Sequence, residues 1–335
     1  MKKIKSLYFL FGVLLFVLAL VGCSGETETE ASSDSNSDNG KNEEAETQLV
    51  EHELGETEIP KDAERVVVLG LEDMMLSLEA PIQAATSTKG QYLYDELIDY
   101  GAEVIETAGA SYNFEAILAQ DPDLILVNAA PAGADGLYDK LTDIAPTLAL
   151  DREDWETSIQ KIANVFGKED KADQVISNFH TELEEAKEKI IAEVGEGKTV
   201  AFIRPTPKDA QILFPGFSYT RLLYENNLGL ESGDLVKELQ EQEEEDAWGM
   251  VMSLEKLPYL EADYVFVTAG SSLANEEDTE KALLMLEELK EDSLWQSIPA
   301  AKNDNIFTVS SRHWMLNGPI AESRKIEDVL NALTN

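Results

Sequence analysis

The chain has 335 residues, too many for one small core and enough for two lobes, with 43% apolar and 27% charged side chains. Acidic residues number 66 against 26 basic ones, a formal net charge of -40, and so acidic a surface repels phosphate backbones and excludes nucleic acid as a partner. One cysteine excludes a disulfide framework or a thiolate metal cluster, and three histidines leave little for a histidine-rich metal site.

Met1, Lys2, Lys3, Ile4 and Lys5 form a basic start to an apolar run from Leu7 to Val21 that only Gly12 interrupts. A permanent span needs about 20 such residues, so residues 1–22 read as a secretory signal. The run ends in Leu20-Val21-Gly22-Cys23, which resembles the lipobox of bacterial lipoproteins. That resemblance implies a lipidated Cys23 at the mature N-terminus and an extracytoplasmic protein tethered to the membrane by its acyl chains. Residues 23–55, rich in Ser, Glu, Asp, Asn and Thr, bury too little area to offset chain ordering and read as a flexible acidic tether. Asp34, Asn36 and Asp38 do not complete a calcium loop, because the glycine falls late, at Gly40, and the last ligand position is Ala45.

From about Glu56 short apolar runs alternate with amphipathic segments. Arg65–Leu69 is a predicted strand, followed by a helix near Glu72–Glu79. Asn113–Gln120 is a helix leading into a strand at Asp123–Asn128, and Thr147–Leu150 is a third strand. Asp154–Phe166 is a helix stopped by Gly167. Lys171–Val194 then carries Val175, Phe179, Leu183, Ala186, Ile190 and Val194 at steps of three and four, one stripe of a long helix ended by Gly195 and Gly197. The alternation restarts with strands at Thr199–Ile203 and Gln211–Phe214, a helical turn at Thr220–Asn226 and a strand at Tyr264–Thr268. A helix at Glu276–Leu289, a strand at Ile306–Val309 and a closing helix at Ile320–Leu333 complete the chain. The expected fold is α/β: two lobes, each a mostly parallel sheet flanked by helices, joined by a single long helix. The boundaries are an N-terminal lobe at 56–168, the connecting helix at 169–195 and a C-terminal lobe at 196–335.

Gly195-Glu-Gly-Lys-Thr199 precedes a strand instead of following one and lacks the first glycine of a phosphate loop, Ala192 standing there. No G-x-S-x-G, H-E-x-x-H or G-x-G-x-x-G is present, and His52, His180 and His313 do not assemble into a metal cage. Nothing forms a catalytic triad or an acid–base pair, so the chain reads as a binding protein and not an enzyme.

Several segments, in order, resemble one family, the iron-siderophore and cobalamin class of ABC-transporter solute-binding proteins. They are Asn113-Phe-Glu-Ala-Ile-Leu-Ala-Gln-Asp-Pro-Asp-Leu-Ile-Leu126, Ser253-Leu-Glu-Lys-Leu before Ala262-Asp-Tyr-Val-Phe-Val267, Leu294-Trp-Gln-Ser-Ile-Pro-Ala-Ala-Lys-Asn303 before Ile306-Phe-Thr-Val, and Asn317-Gly-Pro-Ile-Ala321. The resemblance implies a monomer that holds a ligand between rigid lobes with limited hinge closure and delivers it to a permease dimer with its ATPase subunits. It also implies one docking glutamate per lobe facing permease arginines, and Glu115 and Glu255 match those motif positions. Each is also a first-turn glutamate that a helix dipole favours.

For the ligand, the scarce arginines are informative. Arg204 ends a predicted strand and Arg312-His313-Trp314 follows another, where ligands of parallel sheets gather. Arg221 lies in a loop beside Tyr219, and Tyr92 is one of several interleaved aromatics. The expected ligand contacts are therefore Arg204, Trp314, Arg221, Arg312, His313 and Tyr92, in an aromatic cleft with a few guanidinium donors suited to a ferric complex with outward oxygen acceptors. A hexadentate siderophore saturates iron, so no cofactor and no protein ligand to the metal is required. The few basic groups favour a hydroxamate or citrate–hydroxamate siderophore, with ferric citrate next. A haem receptor using Met74 or Met75 with His313 is the second reading. The acidity fits a saline or alkaline habitat, where an external domain needs charge for solubility.

Overall fold

The computed structural model describes residues 46–107, 111–134, 136–224, 226–244 and 247–334. The signal, Cys23 and most of the acidic tether lie outside them. β1 (Thr47–His52) and β2 (Gly55–Pro60) form an antiparallel ribbon, so residues 47–55, expected to be part of the tether, belong to strands and their turn. The alternation Gln48, Val50, His52 is easily missed among acids, yet it turns one side of the strand inward, and His52 is buried with Nε2 3.0 Å from both Thr57 Oγ1 and Tyr138 Oη.

The N-terminal lobe is a five-stranded parallel sheet of β3 (Val66–Leu69), β4 (Ala84–Ser87), β5 (Glu103–Glu106), β6 (Leu124–Asn128) and β7 (Thr147–Leu150), in the order β5-β4-β3-β6-β7. Its central strands are continuous apolar runs because both faces are covered. Val66, Val68, Leu124 and Leu126 enter one core, and Val67, Leu69, Ile125 and Val127 the other. The order reverses at β3, whose successors lie on opposite sides of it, and such a switch point opens a crevice at the carboxyl ends of the strands.

The C-terminal lobe holds β8 (Thr199–Pro205), β9 (Asp209–Leu213), β10 (Glu231–Ser232), β11 (Gly249–Ser253), β12 (Tyr264–Val267) and β13 (Ile306–Thr308). β10, β8, β12 and β13 pair in parallel, and β9 and β11 add an antiparallel extension beside β8. The helix expected at Thr220–Asn226 is one 3-10 turn, Arg221–Leu223, which the Asn227 side chain ends by donating to the Arg221 carbonyl.

The connecting helix runs Glu169–Val194, 26 residues and about 39 Å. It buries Phe179, Leu183, Ala186 and Ile190, with Trp155 edge-on to Phe179 at 5.2 Å. The closing helix, Pro319–Thr334, packs along it and against the short helix Glu72–Ser77 of the N-terminal lobe.

That last contact has a specific cause. A helix leaves its first peptide N–H groups without partners, and here the cap comes from far away in the chain. Asp73 Oδ1 accepts from the Ile320 N–H at 2.8 Å and Oδ2 from the Ala321 N–H at 2.9 Å. Gly318 has φ +147, and a Cβ there would fall well inside contact distance of the Asp73 carboxyl group. Gly318→Ala is expected to destabilise the protein by about 2 kcal/mol or more. In a double-mutant cycle the loss should shrink in an Asp73→Ala background, and additive losses would show that the clash lies elsewhere.

Candidate functional site

A cavity of about 320 Å³ lies between the lobes at the carboxyl edge of the N-terminal sheet. Each of the five strands supplies part of its wall. Gly70 and Asp73 follow β3, Thr86 and Ser87 close β4, and Thr107 follows β5. Asn128 ends β6, and Arg152 follows β7. Tyr219, Leu273, Leu316 and Asn317 form the opposite side. The rims are bridged: Gln91 Nε2 donates to the Ser272 carbonyl at 2.8 Å, and Arg221 donates to the Glu153 carbonyl at 2.9 Å.

Arg152 Nε, Asn128 Oδ1 and Asn317 Nδ2 are buried without a hydrogen-bond partner among the described residues. An unpaired buried polar group costs about 1–3 kcal/mol, and these three belong to side chains that line the cavity from both sides. Beside Arg152, Glu72 Oε1 accepts from the Gly70 N–H at 2.8 Å and the Thr86 hydroxyl at 2.6 Å. Burial raises the Glu72 carboxyl above its ordinary value, against these bonds and the Arg152 charge. The Tyr112 phenol is pushed up to about 12, chiefly by burial and then by Glu72, so it stays neutral.

The floor is polar and closed. The Tyr92 hydroxyl donates to Asp73 Oδ2 at 2.6 Å. Lys325, fully buried on the closing helix, pairs with Glu322 at 2.9 Å, and burial lowers its ammonium below the ordinary lysine range. Burial pushes the Asp73 carboxyl up to about 6, with Glu322 adding to the rise and the bonds from Tyr92, Ile320 and Ala321 opposing it.

Of the ligand contacts expected from sequence, only Tyr92 lines this cavity. Arg204 does not stand at a free strand end: β8 continues to Pro205 and turns into β9, where Arg204 faces Gln211 and gives its Nε to Gln211 Oε1 at 2.6 Å. Trp314 is core. Phe202 and Phe266 are register partners on β8 and β12, and the indole stacks over both at 5.1 and 5.6 Å with its N–H on Asp328. His313 is buried on the same carboxylate, Nε2 to Oδ2 2.8 Å. Arg312 is buried and holds the Ser272 and Ala274 carbonyls and the Thr279 hydroxyl, shaping the loop that meets Gln91. Arg221 is exposed and reaches the Glu153 carbonyl. The haem reading has no axial pair at the cavity, since Met74 and Met75 are fully buried in the core. Glu115 and Glu255 are exposed, at the starts of the helices Phe114–Ala119 and Leu254–Tyr259, and neither lines the cavity.

The polar cavity-lining residues not singled out from sequence as ligand contacts are Arg152, Asn128, Glu72 and Asn317. A sequence signal existed for the first. Arg152 stands just past the strand Thr147–Leu150, where the rule applied to Arg204 applies equally. Asn128 likewise ends a recognised strand. Asn317 was legible only as part of a helix start.

A family model described as periplasmic binding protein matches residues 80–313. The chain is 28% identical to the iron(3+)-hydroxamate-binding protein FhuD of Bacillus subtilis over 338 residues, covering 99% of this chain and 98% of that one. It is 26% identical to the Fe(3+)-citrate-binding protein YfmC of the same organism over 343 residues, 96% and 95% of the two chains. Among solved structures, a Bacillus subtilis FhuD fold-family binding-protein component of a Fep/Fec-like ferrichrome ABC transporter superposes with a TM-score of 0.69 at 26% identity, covering 85% of this chain and 99% of the other. Staphylococcus aureus SirA complexed with staphyloferrin B shares the fold with a TM-score of 0.69 at 21% identity, covering 86% and 98%.

The Asp73 carboxyl carries a testable sign. Its folded value, about 6, exceeds the ordinary 3.8, so the stability it contributes is complete below the ordinary value and is lost as pH rises through the folded one. Relative to Asp73→Asn, the wild type should lose up to about 3 kcal/mol between about pH 4 and pH 7. Denaturant unfolding of both proteins at several pH values measures this, and a pH-independent difference would refute it.

Proposed function

The chain belongs to the periplasmic binding protein family, and from that premise we propose that it is the extracytoplasmic receptor of an ABC importer, capturing a ferric siderophore between its lobes. The observation that carries this reading is the convergence of polar side chains from both sides, Arg152, Asn128 and Asn317, on one cavity that Tyr92, Tyr112 and Tyr219 also line. A hydroxamate or citrate–hydroxamate complex presents the oxygen acceptors that such a wall can bind while the siderophore keeps iron fully coordinated. Relatives named for hydroxamate and for citrate both support the ligand class, and ferric citrate is the second reading. In this proposal Tyr92, Arg152, Asn128 and Asn317 touch ligand, whereas Arg204 and Arg221 support the C-terminal wall and rim. Lipid anchoring through Cys23 rests on the basic start, the apolar run and the Leu-Val-Gly-Cys tetrad.

Titration of tryptophan fluorescence with iron-loaded hydroxamates, ferric citrate, haem and cobalamin tests the proposal. A ferric hydroxamate should bind, and Arg152→Ala should weaken it by about 1.5–3 kcal/mol, the range for a hydrogen bond to a charged group. Binding of haem or cobalamin alone would overturn the reading.

Glu115 and Glu255, one exposed on each lobe, are proposed to meet basic residues of the permease, fixing register as well as attraction. Replacing both by Ala should leave ligand affinity unchanged and impair iron uptake by cells. Normal uptake by the double variant would remove this role.

A further inference from the structure

The two rims of the cavity are joined unequally. On one side, residues 89–96 of the N-terminal lobe meet the C-terminal lobe along their length. Lys89 Nζ lies 3.2 Å from Glu276 Oε2, and Gln91 Nε2 donates to the Ser272 carbonyl. The Arg324 guanidinium lies over the Tyr92 ring at 5.3 Å and pairs with Glu96. Between Lys89 and Gln91, Gly90 has φ +85, and a Cβ there would stand 3.2 Å from Glu276 Cγ and 3.5 Å from Arg312 Nη2. The surface it rests on is firm, because buried Arg312 holds the Ser272 and Ala274 carbonyls and the Thr279 hydroxyl. Through Tyr92 this joint adjoins the Asp73 cap of the closing helix. Across the other rim a single hydrogen bond runs among the described residues, from the exposed Arg221 side chain to the Glu153 carbonyl.

We infer that ligand enters and leaves at the Arg221–Glu153 rim, where the lobes part while pivoting on the joint at residues 89–96. This rests on the ferric-siderophore reading above and adds a route to it. Local opening follows the least stable contacts. Parting the joint would break the Gln91 bond, the Glu96–Arg324 pair and, beside them, the bonds from the closing helix to Asp73. Parting the other rim breaks one bond to a carbonyl and releases a guanidinium that water already reaches. Arg152 and Glu153 line the cavity on one side of that rim and Tyr219 on the other, so opening there uncovers the proposed ligand donor Arg152. The Arg221 bond closes the cavity both before ligand enters and after it is enclosed. Its loss therefore favours the open form of both states and speeds traffic in both directions.

Stopped-flow tryptophan fluorescence reads both rate constants with a neutral ferric trihydroxamate, which the charge of an arginine does not steer. Ferric citrate, read at high ionic strength to screen its charge, is the second probe. Arg221→Ala should raise the association and dissociation rate constants by about threefold or more each, leaving Kd within about twofold. Arg312→Lys weakens the joint, which stays closed throughout, so it should lower the apo melting temperature and leave both rate constants within about twofold. Should Arg312→Lys fail to fold, Glu96→Gln, which breaks the pair with Arg324, takes its place with the same expectation. Unchanged rates in Arg221→Ala overturn the inference and leave the siderophore reading standing. So does a joint variant that raises both rates while Arg221→Ala does not. A wild type that binds neither probe overturns both.

Discussion

The Asp73 carboxylate is the tie on which the arrangement of this protein depends. It lies on the first helix of the N-terminal lobe and caps the closing helix, receiving the N–H groups of Ile320, 247 residues later, and Ala321. The same oxygen that binds Ala321 receives the Tyr92 hydroxyl, so the helix cap, the lobe contact and the cavity floor are one network. The chain accommodates it with Gly318, where any side chain would collide with the carboxylate. Placing an ionised group there is costly, as the rise of its carboxyl to about 6 records. The helix N-terminus and three donated hydrogen bonds compensate for that cost.

The site follows from this tie. The parallel sheet presents five strand ends to one side, and the closing helix brings Asn317 and Leu316 over them. The polar side chains that line the cavity belong to segments remote in sequence, and no local pattern reveals that Asn128 and Asn317 border one space. The lobes also touch at the rims, through Gln91 with Ser272 and Arg221 with Glu153, so the cavity is bounded on both sides by hydrogen bonds that a hinge motion would have to break.

The sequence made much of the framework legible for a physical reason. Strands covered on both faces are continuous apolar runs, as at Val66–Leu69 and Leu124–Asn128, and the stripe through Phe179, Leu183, Ala186 and Ile190 marks the connecting helix. Short or polar strands gave no such run: Ala84–Ser87 and Glu103–Glu106 escape notice, and the first ribbon hides in acidic composition. The candidate site was less legible. Arg204 looked like the end of a strand because the apolar run Thr199–Ile203 stops before it, yet the backbone stays paired, Arg204 with Gln211 and Pro205 with Ala210 on β9. Trp314 looked like a cleft aromatic because it follows a strand, but the short helix Ser311–Trp314 turns it back onto Phe202 and Phe266. Tyr92 was identified among the aromatics, and Arg152 was overlooked although the same strand-end rule points to it.

The central claim is that a ferric siderophore occupies the space between the carboxyl edge of the N-terminal sheet and the Asn317 segment. Iron-edge anomalous diffraction from crystals grown with an iron-loaded trihydroxamate tests it most directly. The account predicts a single iron peak within the cavity, with ligand oxygens on Arg152 and Asn317 and no protein atom coordinating the metal. An iron peak outside the cavity, or one bound directly by protein side chains, would contradict it.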